Sequence, residues 1–105
     1  MRLDASQIQK ILEIVSVHAG IDSHVSVYGS RVDDSAKGGD IDLFIETASP
    51  LPRWEQARML ADLEHELGLP VDILVKYVHD PDTPFEAMAK SRAVPLNQAA
   101  YERHD

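Results

Sequence analysis

Apolar residues in this chain recur first at helical spacing and then in alternation. Ile8, Ile11, Leu12, Val15 and Ala19 form one face of a helix over residues 5 to 19. Asp4 followed three residues later by Gln7 predicts a capping box, and Gly20 predicts the stop. His24-Val25-Ser26-Val27-Tyr28 then alternates, so a first strand carries Val25 and Val27 on one face and Ser26 and Tyr28 on the other. It ends at Gly29-Ser30, and a short helix could occupy residues 30 to 37 before Gly38-Gly39 release the chain. In the second strand, Asp40 to Ile45, Ile41, Leu43 and Ile45 share one face while Asp40, Asp42 and Phe44 share the other.

Ser49-Pro50-Leu51-Pro52 marks a second helix start, with Trp54, Ala57, Leu60, Ala61 and Leu67 at helical spacing up to Gly68. Val71 to Tyr77 reads as a third strand, with Val71, Ile73 and Val75 on one face and Asp72 on the opposite one. Thr83-Pro84-Phe85-Glu86 combines a capping box with proline at the first helical position and opens a third helix through roughly Lys90. Trp54 and Phe85 are expected as core anchors rather than nucleobase stackers. The tail from Ala93 to Asp105 carries no firm signal, and Gln98 to Arg103 is compatible with a helix or a frayed end.

The second helix has the length of a crossover joining strands two and three in parallel. With strand one antiparallel to strand two, Val25, Val27, Ile41, Leu43, Ile45, Val71, Ile73 and Val75 form one continuous apolar face covered by helices. The expected fold class is therefore α+β, a small mixed β-sheet with helices on one face. The 105 residues make a single domain, with a core over residues 4–92 and a C-terminal tail over 93–105.

Composition narrows the chemistry. A net charge of -8 and a pI near 4.9 repel phosphate backbones, so direct nucleic-acid binding is not expected, whereas a basic partner protein or an anion carried with a metal ion is compatible. The absence of cysteine removes disulfides, thiolate metal sites and cysteine nucleophiles. The start, Met1-Arg2-Leu3-Asp4, is not a secretion segment and no apolar run reaches membrane-spanning length, so the expectation is a cytoplasmic protein without membrane association.

The topology brings Asp40, Asp42 and Asp72 to one sheet edge, together with Gly29-Ser30. Ionised carboxylates near a sheet interior are costly unless compensated, and a cation is the usual compensation. Two divalent ions bridged by carboxylates can hold an attacking oxygen against a phosphoryl group. Oxygen-only ligands favour Mg²⁺ or Mn²⁺ over zinc. Gly29 would let the backbone approach a phosphate, and the N–H groups after Ser30 could bind its oxygens. Taken alone, Asp72 is more often a surface residue at a strand start and Ser30 a helix cap; their weight comes from occurring with Asp40 and Asp42. Arg31 and Lys76 read more readily as solvated or paired with local acids. The histidines are scattered without ligand spacing, and the loop lacks the P-loop and EF-hand patterns.

Gly29-Ser30, nine intervening residues, Asp40-Ile41-Asp42 and then Asp72 closely resemble the signature of the minimal nucleotidyltransferases of the DNA polymerase β-like superfamily. The resemblance covers residues 1 to about 92. It implies the nucleotidyltransferase fold and two Mg²⁺ ions, with Mn²⁺ possible, held by Asp40, Asp42 and Asp72. It further implies that Asp72 helps deprotonate an acceptor hydroxyl, and that Gly29, Ser30 and Arg31 bind the phosphates of ATP. The implied reaction transfers AMP to a hydroxyl and releases pyrophosphate. Single small domains of this family often serve as antitoxins beside a HEPN-domain RNase toxin, so a HEPN toxin is the expected partner, in a hetero-oligomer or beside a homo-oligomer.

Many relatives carry a small residue, a basic residue and glycine after Gly-Ser-Arg, where this chain has Val32-Asp33-Asp34. That difference keeps open a second reading, a non-catalytic antitoxin of the same fold acting by complex formation. A third, transfer to a small molecule, lacks a substrate domain after residue 92.

Overall fold

The computed structural model describes residues 3–28 and 41–96. The first helix, α1 (Ala5–Ala19), begins at the expected reciprocal cap: the Gln7 backbone N–H donates to Asp4 Oδ1 at 2.8 Å and the Asp4 N–H to Gln7 Oε1 at 3.0 Å. It stops at Gly20, whose φ of 102° favours glycine and where an added Cβ would lie 2.9 Å from Asp22 Oδ1. Helix α2 (Arg53–Leu67) ends at Gly68 in the left-handed conformation, and α3 (Pro84–Arg92) starts at the Thr83–Glu86 capping box. The expected short helix over residues 30 to 37 and the segment Gln98 to Arg103 lie outside the described residues.

Strands β1 (His24–Tyr28), β2 (Ile41–Thr47), β3 (Val71–Tyr77) and β4 (Val94–Pro95) form one sheet in the order β3-β2-β1-β4. As the alternation predicts, β1 pairs antiparallel with β2, and β2 pairs parallel with β3 through the α2 crossover. The two-residue β4, antiparallel to β1, is an addition to the expected elements. It is too short to show a period, and its proline is tolerated at a sheet edge because it has no N–H to leave unpaired. Leu96, just after it, is fully buried and pins the end of the described chain to the core.

One sheet face is the hydrophobic core. Val25, Val27, Ile41, Leu43, Ile45 and Val71 pack with Ile11 and Val15 of α1 and Met59 and Leu63 of α2, and Ile73 and Val75 are partly buried against them. The phase of α2 differs from the expected stripe. Met59 and Leu63 point inward with Leu60 and Leu67 beside them, whereas Trp54 is 62% exposed and is no core anchor. In a helix this polar, the two most buried positions decide the orientation, and Trp54 in the first turn lies to one side of them.

The two core helices are also bolted together by His18, whose side chain is 8% exposed. Its Nδ1 meets the Glu55 carboxylate, and its Nε2 lies 2.7 Å from Asp62 Oδ2. Burial alone would lower the His18 pKa, but the hydrogen bonds and negative charges of Glu55 and Asp62 outweigh it and the net shift is upward. A histidine with a raised folded-state pKa contributes stability that is fully present below its unfolded value of 6.5 and is lost as pH rises through the folded value. His18→Ala should therefore cost roughly 2 kcal/mol at low pH, the scale of charge-assisted hydrogen bonds. Denaturant unfolding followed from below that pH upward should show the wild type losing stability and the variant changing less.

Candidate active site

The face opposite the core is organised in transverse rows. Antiparallel pairing sets Tyr28 opposite Asp42, and parallel pairing sets Asp42 beside Asp72. Tyr28, Asp42 and Asp72 thus form one row across β1, β2 and β3, spanning about 10 Å at the usual strand spacing. The next rows along the same face are Ser26, Phe44 and Leu74, then His24, Glu46 and Lys76.

Backbone contacts at the strand starts hold this register. The Ile41 N–H donates to the Pro70 carbonyl at 3.1 Å, and the Val71 N–H donates to Glu64 Oε2 of α2 at 2.9 Å. Each lies one residue before a carboxylate of the row. A slip by one residue would turn Asp42 or Asp72 into the apolar core, where an ionised carboxylate is most costly.

Among the described residues, helix α3 lies over the far rows and meets the carboxylate row at Tyr28. Lys76, buried to 4% exposure, reaches Asp82 at 3.3 Å and Glu86 at 3.9 Å and also donates to the Asp80 carbonyl. Lys90 reaches Glu46 at 3.3 Å and Asp82 at 3.4 Å. Under this cover Phe44 is buried, although its strand position is on the polar face. So α1 and α2 cover the apolar face as expected, while α3 meets the other one. Asp42 is half-buried and Asp72 exposed.

Tyr28 connects the two halves. Its ring meets Phe44 edge-to-face at 6.5 Å and Phe85 of α3 edge-to-face at 6.3 Å. Burial first, and then the negative charges of Asp42 and Asp72, push its phenol above the ordinary value of 10.0. The hydroxyl is consequently neutral at physiological pH and able to donate a hydrogen bond.

Of the sequence-predicted site residues, the structure brings Asp42 and Asp72 side by side. Asp40, Gly29, Ser30 and Arg31 lie outside the described residues. Among the described residues no group of three acids or histidines could hold a metal ion, so Asp42 and Asp72 need a further ligand. As adjacent hard oxygen donors facing one way they fit Mg²⁺ or Mn²⁺, and a divalent cation would offset their mutual repulsion. Tyr28 belongs to the same row, and Phe85, expected as a core anchor, is instead 52% exposed against it. Tyr28 was legible from the alternation that also places Asp42; Phe85 required the path of α3.

Removing one carboxylate charge should release part of the constraint on Tyr28. In Asp42→Asn or Asp72→Asn, the ultraviolet-monitored phenol ionisation should shift to lower pH than in the wild type, while burial keeps it above 10.0. An unchanged titration would separate Tyr28 from the row.

A family model described as a nucleotidyltransferase domain matches residues 8–94. A solved structure, provisionally described as a minimal nucleotidyltransferase, is similar with a TM-score of 0.67 and 22% identity. The similarity covers 86% of this chain and 89% of that one. A comparison with curated proteins finds no match. The match over residues 8–94, which contain the whole sheet up to β4, shows that this chain belongs to the nucleotidyltransferase domain family, with a sheet and helices arranged as in its minimal members.

Proposed function

We propose that this protein transfers AMP from ATP to a hydroxyl group on a partner protein. The observation that carries the reading is the parallel register that sets Asp42 beside Asp72 on the face opposite the core. In this reading Asp40, Asp42 and Asp72 hold two Mg²⁺ ions, and Gly29, Ser30 and Arg31 receive the phosphates. The bound ions would supply charge neutralisation at the phosphates and a more acidic acceptor hydroxyl. The acceptor oxygen forms a bond to the α-phosphorus as the bond to the bridging oxygen breaks. Pyrophosphate leaves with that electron pair, and the hydroxyl proton passes to the Asp72 carboxylate. The accessible position of Asp72 at the open edge of the row suits that proton transfer.

The partner in this proposal is a HEPN-domain RNase toxin, with the present protein as its cytoplasmic antitoxin. A net charge of -8 suits contact with a basic partner, and among the described residues no helix is long and apolar enough to cross a membrane. The same charge favours a second reading, neutralisation of the toxin by contact alone. The two differ in what Asp42 does: an enzyme depends on it, whereas a contact-only antitoxin does not.

Incubation with labelled ATP, Mg²⁺ and the purified toxin should transfer label to the toxin. Asp42→Asn or Asp72→Asn should reduce the labelling by roughly 100-fold or more, as expected for loss of groups acting on the transition state. Label transfer by Asp42→Asn at the wild-type rate would contradict the enzymatic reading. A variant that still forms the complex but no longer protects cells would contradict the contact-only reading.

A further inference from the structure

Phe85 and Met88 stand out among the apolar side chains because they are exposed on α3, and Phe85 touches Tyr28 of the carboxylate row. They are 52% and 48% exposed and lie three residues apart, so they share one side of α3. Phe85 touches Tyr28, and Tyr28 is the cross-strand partner of Asp42. The sequence Phe85, Tyr28, Asp42, Asp72 is therefore one unbroken path from an apolar shelf to the carboxylates. The Phe85 ring lies 6.3 Å from the Tyr28 ring, and Tyr28 is one strand spacing, about 5 Å, from Asp42.

Most large apolar residues near the sheet are buried, Phe44 among them. Phe85 lies over the same face, yet half of it remains open to solvent. Its backbone is not free to wander, because the Thr83–Glu86 box fixes the start of α3 and Glu86 pairs with the buried Lys76 at 3.9 Å. An aromatic ring held on a rigid helix turn, half-open and beside a phosphate-transfer site, is a pre-organised stacking surface.

We propose that Phe85, backed by Tyr28, is the platform on which the base of the nucleoside triphosphate stacks. This rests on the reading of the carboxylate row as a nucleotide site. The electrostatics explain why such a platform is needed. A chain of net charge -8 repels a triphosphate at long range, and the metal-bridged contact weakens as salt rises. Stacking on an aromatic ring is nearly indifferent to salt and supplies affinity that the charges withhold. Because every base has a π-face, the platform selects for a planar ring more than for one base. The neutral Tyr28 phenol at its edge adds no charge against the ligand.

Calorimetric titration of the full chain with Mg²⁺–ATP and with Mg²⁺–tripolyphosphate tests this. Phe85→Leu keeps an apolar side chain against Tyr28 while removing the π-face, and Phe85→Trp enlarges it. Phe85→Leu should weaken Mg²⁺–ATP binding by roughly tenfold and leave Mg²⁺–tripolyphosphate unchanged, and Phe85→Trp should bind ATP at least as tightly as wild type. Wild-type affinity for ATP in a folded Phe85→Leu, or an equal loss for both ligands, would overturn the platform while leaving the nucleotide site in place. Unchanged ATP affinity with lost transfer to a protein acceptor would assign the shelf to the acceptor and likewise overturn it. A wild-type protein that binds neither ligand would overturn both the platform and the nucleotide site.

Discussion

The structure depends on the in-register parallel pairing of β2 with β3. That pairing places two carboxylates, Asp42 and Asp72, on adjacent strands at the same level and on the same face. Like charges directly across a strand pair are unfavourable, and nothing in the apolar face requires them. What keeps them there is the other side of the sheet, since Ile41, Leu43, Ile45 and Val71 are buried and a shift of register would expose them. The core thus fixes the register that sets these two carboxylates side by side.

The two faces divide the work between different interactions. On one, α1 and α2 bury the branched aliphatic residues and are tied by the His18 bridge. On the other, α3 is fastened by Lys76 and Lys90 to Asp82, Glu86 and Glu46. The Asp82 carboxylate illustrates the second kind of fastening. Desolvation works against its charged form, but Lys76 and Lys90 prevail and hold its pKa below the ordinary carboxylate value. Among the described residues α3 reaches the carboxylate row only at Tyr28, so the same face contains both a closed ionic cluster and an exposed Asp72.

Much of this was legible in the sequence because short-range rules sufficed. The Asp4–Gln7 and Thr83–Glu86 boxes and the stops at Gly20 and Gly68 locate the helices, and the alternation in residues 24–28 and 41–45 orients the strands. Asp42 and Asp72 followed from alternation together with a parallel crossover. The features that were not legible depend on long-range packing. Trp54 looks like an anchor until Met59 and Leu63 set the rotation of α2, and Phe85 looks like one until Lys76 and Lys90 fix where α3 lies. The two-residue β4 has no period at all, and only its pairing with Ser26 and Val27 defines it.

Under the proposed function the carboxylate row is the place for phosphate chemistry, and the register sets Asp42 beside Asp72 within it. The proposal turns on Asp42 and Asp72 acting together as ligands for a divalent cation. The most direct measurement is paramagnetic broadening of amide resonances by Mn²⁺ in the isotope-labelled protein. Selective broadening around Tyr28, Asp42 and Asp72, abolished in Asp42→Asn and reversed by excess Mg²⁺, is the result this account predicts. Broadening spread over the acidic surface, and equal in the wild type and the variant, would contradict it.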